Sequence, residues 1–286
     1  MRKKHALVLE GGAMRGLFSA GVMDVLMEND IHFDGIAGVS AGAAFGCNYK
    51  SRQPGRVLRY NLRFCRDRRY CSWYSRLTTG DLFGADFCYR RLPDELDVFD
   101  TAEYDRDPME YFVVCTDVLT GKPFYRACPA ADHTCYQWMR ASASMPLVSQ
   151  IVFPEPGGRG YLDGAISDSI PLRFMEQRGY EKSVVVLTQK PDYCKTPQRG
   201  MFLLRKLLKK YPALITALEN RHTMYNETLS YIRKRAAEGA VLVIQPQEDL
   251  PLGRICHDPE KLRAAWETGR KTALHQLDEL RAFLEK

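Results

Sequence analysis

The sequence predicts an α/β fold built on a mainly parallel sheet. Three observations carry that expectation. Short, continuous apolar runs recur at residues 6–9, 36–39, 111–116, 183–188 and 240–245; runs of that length without polar alternation belong to strands covered on both faces. Segments of helical period alternate with them. Glycine-rich turns follow the first two runs, and in open parallel sheets sites form beyond the carboxyl ends of strands.

Taken in order, residues 6–9 form the first strand, and a helix over 17–28 follows with Phe18, Val22, Val25 and Leu26 on one side. After the strand at 36–39, Ser40 opens a small-residue helix through Cys47. Residues 51–105 break the pattern. Arg52, Arg56, Arg59, Arg63 and Arg66 recur between Val57, Leu58, Tyr60, Leu62 and Phe64, predicting a basic amphipathic helix, and an aromatic, loop-rich stretch follows. This segment is read as an insertion covering the site. Residues 199–218 are again basic and amphipathic, with Leu203, Leu204, Leu207 and Leu208 beside Arg205, Lys206, Lys209 and Lys210. The last helix starts with Asp258 as N-cap and Pro259 at its first position, and carries an apolar stripe of Leu262, Trp266, Ala273, Leu277, Leu280 and Leu284.

The 286 residues suffice for one large domain or a main domain with an appendage. At 45% hydrophobic and 27% charged, the composition is that of a globular chain with a sizeable core. The net charge of +6 fits weak attraction to an anionic surface without demanding it. Nine scattered cysteines include no C-x-x-C pair, which argues against a zinc ribbon. Their odd number, with no secretory leader, points to free thiols in a reducing, cytoplasmic compartment. Met1-Arg2-Lys3-Lys4 is basic, but the apolar stretch after it ends at Glu10, too soon for a signal sequence. No run approaches bilayer-spanning length, so membrane contact is expected to be peripheral, at the inner face. The two basic segments are candidates for it, although a solvated helix face is the plainer reading of each.

Gly38-Val39-Ser40-Ala41-Gly42 has the G-x-S-x-G form, which sets a serine on a tight strand-to-helix turn with its hydroxyl exposed. Gly38 and Gly42 keep side chains out of that crowded turn. Gly11-Gly12-Ala13-Met14-Arg15-Gly16 offers a row of backbone N–H groups able to hold a negative oxygen. A nucleophile and an anion cradle together make acyl-ester hydrolysis the leading reaction class. The hydroxyl needs a base. None of His5, His32, His133, His222, His257 and His275 lies in a motif, and His222 and His257 stay as candidates for a Ser-His-Asp arrangement. Asp163, in Tyr161-Leu162-Asp163-Gly164-Ala165, follows a short apolar strand and is the stronger candidate; a carboxylate within reach can take the proton directly. Alone, Asp-Gly-Ala reads as a turn. Nucleotide binding at the first turn is disfavoured, because Gly-Gly-Ala-Met-Arg-Gly lacks the central glycine of G-x-G-x-x-G. No nucleic-acid motif is present.

In this order the three motifs resemble the patatin-like phospholipase family. Ala141-Ser142-Ala143-Ser144-Met145-Pro146, and Pro171 after Asp163, are weaker echoes of it. The resemblance spans residues 6 to about 190 and is closest to the bacterial, cytoplasmic branch. The rest, with Lys210-Tyr211-Pro212 and Arg221, looks like a C-terminal extension of some bacterial members. The resemblance implies a three-layer α/β/α fold, with a hydrolase domain over 1–190, residues 51–105 as its lid or insertion, and a mostly helical extension over 191–286 packed on it. It also implies a lipid acyl hydrolase, phospholipase- or lysophospholipase-like, with a Ser–Asp dyad and neither metal nor cofactor. Ser40 would attack the ester carbonyl and Asp163 would act as base. The N–H groups of Gly12, Ala13 and Met14 would hold the oxyanion, and Arg15 would either reinforce that potential or form a structural ion pair. The expected partner is a lipid or fatty-acyl ester. A patatin-fold regulatory or binding protein with little turnover is the alternative, and the intact Ser40 and Asp163 count against it. One departure stands out: Ala13 occupies a position where the family usually has glycine. If that position needs φ > 0, the alanine is strained by roughly 1 kcal/mol or more.

Overall fold

The computed structural model describes residues 3–285; Met1 and Arg2 of the basic start, and Lys286, lie outside the described residues. Seven strands form one sheet among the described residues. The five predicted strands are present, with ends shifted by up to three residues, because the hydrogen-bond ladder and not the apolar run sets a strand's length. They are β1 (Lys4–Leu9), β2 (Gly35–Val39), β3 (Glu110–Asp117), β6 (Tyr180–Val186) and β7 (Val241–Ile244). All pair in parallel, in the order β3-β2-β1-β6-β7. Two antiparallel strands join them, of which the sequence indicates only the short one ending at Asp163. β4 (Pro123–Ala127) is a half-buried edge strand on β3, and β5 (Tyr161–Asp163) is three residues long. β4 carries no apolar run long enough to be read.

Strand alternation divides the core in two. Leu7, Leu9, Ile36, Tyr111, Val113, Val184 and Val186 point into the larger half. It is covered by α1 (Gly16–Glu28), α2 (Ala41–Lys50) and α10 (Pro259–His275). Ala6, Val8, Ala37, Phe112 and Val185 point the other way, toward α7 (Leu172–Gln177) and α9 (Pro212–Ala237). The result is a three-layer α/β/α arrangement. Residues 16–27 of α1 are buried throughout, because the sheet lies beneath them and α10 above.

Residues 51–105 fold into α3 (Arg56–Phe64), α4 (Trp73–Thr79), a π-helical stretch (Phe87–Leu96) and α5 (Thr101–Arg106). The arginine stripe does not form one outward face. Arg56 is buried and lies 3.2 Å from the Asp97 carboxylate, and Arg59 grips the same carboxylate through two 2.8 Å bonds. Arg63 donates to the Leu96 carbonyl at 2.7 Å. A buried carboxylate with donors around it is the more favourable partner for these guanidinium groups.

The basic segment at 199–218 is likewise two helices, α8 (Met201–Leu207) and α9, with the break at Pro212, which can begin a helix but not continue one. Asp258 caps α10 as expected, accepting from the Glu260 N–H. The region after residue 190 is more than a helical appendage, since β7 extends the central sheet from within it. α11 (Leu277–Glu285) ends the chain's described part. No helix of the described residues is long and apolar enough to cross a membrane.

Candidate active site

Ser40 leaves β2 and precedes α2 at φ 55° and ψ −119°. A non-glycine residue held there stores of order 1–3 kcal/mol, so its surroundings must over-determine it. The Ser40 N–H donates to Ser142 Oγ at 2.9 Å, and that hydroxyl donates onward to the Val114 carbonyl at 2.6 Å. The Ser40 carbonyl accepts from the Ala43 and Ala44 N–H groups at 3.0 and 2.9 Å. A Cβ on Gly38 would lie 2.5 Å from the Gly42 carbonyl oxygen, and one on Gly42 would lie 2.5 Å from that of Leu9. Close backbone approach therefore requires both glycines of the motif.

Strand register brings Asp163 to the same place. Along one edge of β3, Val39 of β2 pairs with Val114, and the next rung pairs Cys115 with Asp163 of β5. Asp163 thus enters the sheet where β2 ends, beside Ser40. Its side chain accepts the Ala165 N–H at 2.8 Å. Its own N–H donates to the Ser144 carbonyl at 2.8 Å, and Thr116 Oγ1 donates to its carbonyl at 2.8 Å. Burial pushes the Asp163 carboxyl pKa up, and the Ala165 N–H, the Arg221 charge, the Ser40 hydroxyl and the Arg254 charge pull partly the other way.

The Gly11–Gly16 segment is a short 3₁₀ turn (Ala13–Arg15) between β1 and α1. It passes against the serine: a Cβ on Gly11 would lie 2.8 Å from Ser40 Cβ. Ala13 sits at φ 50°, so the departure from glycine falls in the left-handed region, at a cost of roughly 1–2 kcal/mol. The Met14 N–H donates to the Arg254 carbonyl at 3.2 Å and is not available to an oxyanion, contrary to expectation. Among the described residues the N–H groups of Gly11, Gly12 and Ala13 have no partner. Nor does Arg15 form the ion pair considered for it; its Nε is buried without a hydrogen bond. Burial lowers its pKa, Glu10 opposes that shift, and Arg254 adds to it.

Ser40 opens on a cavity of about 120 Å³ that Met14, Phe45, Tyr60, Phe83, Leu92 and Met139 help to line. Much of this apolar wall comes from residues 51–105, which places the predicted insertion over Ser40. No histidine lines the cavity. His257 Nδ1 lies 2.6 Å from the Cys65 carbonyl, and His222 Nδ1 lies 3.0 Å from that of Glu219 on α9. The structure therefore brings Ser40, Asp163 and the glycine turn together and leaves both histidines outside. Ser142, Ser144 and Arg254 join the site without having been singled out as site residues. Ser142 and Ser144 had a faint signal in the alternating alanines and serines of 141–146, whereas Arg254, in an irregular segment, had none.

The chain matches the model of the patatin-like phospholipase family over residues 7–175, and that of a domain of unknown function, DUF6363, over 211–285. It is 28% identical over 288 residues to the uncharacterized protein YjjU of Escherichia coli K12, covering 88% of this chain and 75% of that one. It is 27% identical over 178 residues to lysophospholipase NTE1 of Candida glabrata, covering 60% of this chain but 10% of that one. VipD from Legionella pneumophila, as a crystal structure, aligns over 98% of this chain and 67% of its own with a TM-score of 0.50 and 12% identity, a likeness of fold. With the family matched across more than half of its length, the chain belongs to the patatin-like phospholipases.

Proposed function

We propose that this protein is a serine acyl hydrolase of lipid esters working through a Ser40–Asp163 dyad. Family membership supports the reaction class. The observation that carries the dyad is the strand register, which sets the buried Asp163 on the edge of β3 where β2 ends, beside Ser40 on its strained turn at the mouth of an apolar cavity. Asp163 takes the hydroxyl proton as Ser40 Oγ attacks the ester carbonyl. The N–H groups of Gly11, Gly12 and Ala13 receive the oxyanion. Asp163 then protonates the leaving alkoxide and afterwards takes a proton from the water that frees the acyl group. Its raised pKa brings its basicity nearer to working pH. The acyl chain lies along the cavity. Exposed Phe202, Leu203 and Leu207 on α8, beside Arg205 and Lys206, support peripheral contact with an anionic bilayer.

The test is labelling by a fluorophosphonate, located by mass spectrometry. Label is expected on Ser40 and absent in Ser40→Ala, whose ester hydrolysis falls by roughly 10³-fold or more. Asp163→Ala should label far more slowly. A folded wild-type protein that takes no label would overturn the reading.

A further inference from the structure

Beside the Ser40 cavity lies a second hollow, of about 260 Å³, with cationic walls. Arg221 and His222 reach it from α9, Arg254 from the irregular segment before α10, and Lys195 and Arg199 from the loop after β6. No carboxylate lines it, and among the described residues Lys195, Arg199, Arg221 and Arg254 form no ion pair. The hollow is tied to the reaction centre at two points. Buried Arg221 donates through Nε to the Ala165 carbonyl at 2.6 Å, two residues from Asp163. The Arg254 carbonyl accepts the Met14 N–H, and Met14 also lines the Ser40 cavity.

These cations act on one another. Lys195 Nζ lies 4.1 Å from the centre of the Tyr225 ring. Burial, together with Arg221, Arg254 and Arg15 and against the pull of Glu10, lowers its pKa to about 8. Glu10 itself is occupied, accepting the Thr188 N–H and the Tyr225 hydroxyl at 2.6 Å each. Like charges gathered in a partly closed hollow repel and are poorly solvated until an anion enters.

We propose that this hollow is a headgroup subsite that takes the phosphate of an acyl glycerol phosphate while the ester carbonyl lies at Ser40. The inference rests on the hydrolase reading above. It also gives the region matched to a domain of unknown function a task, because that region supplies Arg221, His222 and Arg254. The same walls disfavour a choline head: its quaternary ammonium would lie among Lys195, Arg199 and Arg254 with no carboxylate to meet it.

The test compares an acyl glycerol phosphate, an acyl glycerophosphocholine and a monoacylglycerol of one chain length. Wild type is expected to favour the phosphate by about tenfold or more in kcat/KM, and Lys195→Gln and Arg254→Gln should each lower that preference about tenfold, mainly through KM, with partial rescue in Arg254→Lys. A preference near one in wild type, or one unmoved in both variants, overturns the proposal. A second arm needs no turnover. The Ser40→Ala protein should bind glycerol phosphate saturably by calorimetry, and Lys195→Gln on that background should weaken binding about tenfold; absence of binding overturns the subsite. Inorganic phosphate should raise KM without changing kcat; phosphate that binds while leaving KM unmoved marks an anion site unrelated to the headgroup and also overturns it. Failure of Ser40 to take the fluorophosphonate, with glycerol phosphate still bound, removes the hydrolase reading and not the anion site. Label without binding removes the subsite alone.

Discussion

At Ala13 a Cβ occupies backbone at φ 50°, a conformation that glycine adopts freely. Ala13→Gly removes that strain and adds freedom to the unfolded chain, two effects of similar size. The balance is expected to stabilise the protein by up to about 1 kcal/mol, a rise of a few degrees in Tm; a fall of several degrees would contradict it. Asp163 yields a pH prediction with a definite sign. Its pKa is raised by burial, and as base it must be ionised, so kcat/KM should climb with pH through a value above that of an ordinary aspartate. For stability, a carboxyl whose folded pKa exceeds its unfolded one contributes most below the unfolded value and loses that contribution as pH rises through the folded value. Asp163→Asn should therefore melt higher than wild type at neutral pH while losing activity, and the difference should close in acid. A variant that melts lower at neutral pH would refute this. Ser142, which accepts from Ser40 N–H and donates to Val114, is a positioning residue. Ser142→Ala leaves a backbone N–H unpaired at the strained turn, at about 1–3 kcal/mol, and should lower kcat more than it changes KM for a small ester.

Among the elements, α1 and α10 pack closely enough to matter. A Cβ on Gly269 would fall 2.0 Å from the Phe18 carbonyl oxygen. Gly269→Ala must push the helices apart and should cost roughly 1–3 kcal/mol or more by overpacking, seen as a lower Tm although Ser40 is untouched. The exposed face of α8 makes the opposite kind of prediction. Phe202 is 83% exposed and Leu207 59%, so replacing both by serine should leave the fold intact. Each such side chain is worth about 1.5–3 kcal/mol when buried, so partition of the double variant into anionic vesicles should fall at least tenfold; unchanged partition would remove α8 from the membrane contact. Legibility also differed by element. Parallel strands buried on both faces announce themselves as apolar runs, whereas the half-buried β4 is held by what lies beside it. The arginine repeat of α3 reads as a basic surface, from which Asp97, some 40 residues away, draws Arg56 inward while Arg59 and Arg63 stay exposed.

For the molecule as a whole, the region after residue 190 completes the fold. β7 covers the outer edge of β6, and α10 covers α1. A fragment ending near residue 190 leaves a parallel strand edge and an apolar helix face bare, and is expected to aggregate or remain unfolded; a monomeric, cooperatively melting fragment would show otherwise. The sequence by itself determined the fold class and the five parallel strands, and singled out the serine turn, the glycine turn and the aspartate. These depend on short-range chemistry: apolar period, close backbone approach at Gly38 and Gly42, and capping at Asp258. Only the tertiary structure decided that Asp163 enters the sheet beside the end of β2, that Ala13 lies at positive φ, that Met14 N–H is taken by Arg254, and that four cationic side chains from three separate segments face one hollow. Each is a contact between residues far apart in the chain, and strand register and helix packing, not local composition, determine which distant residues meet.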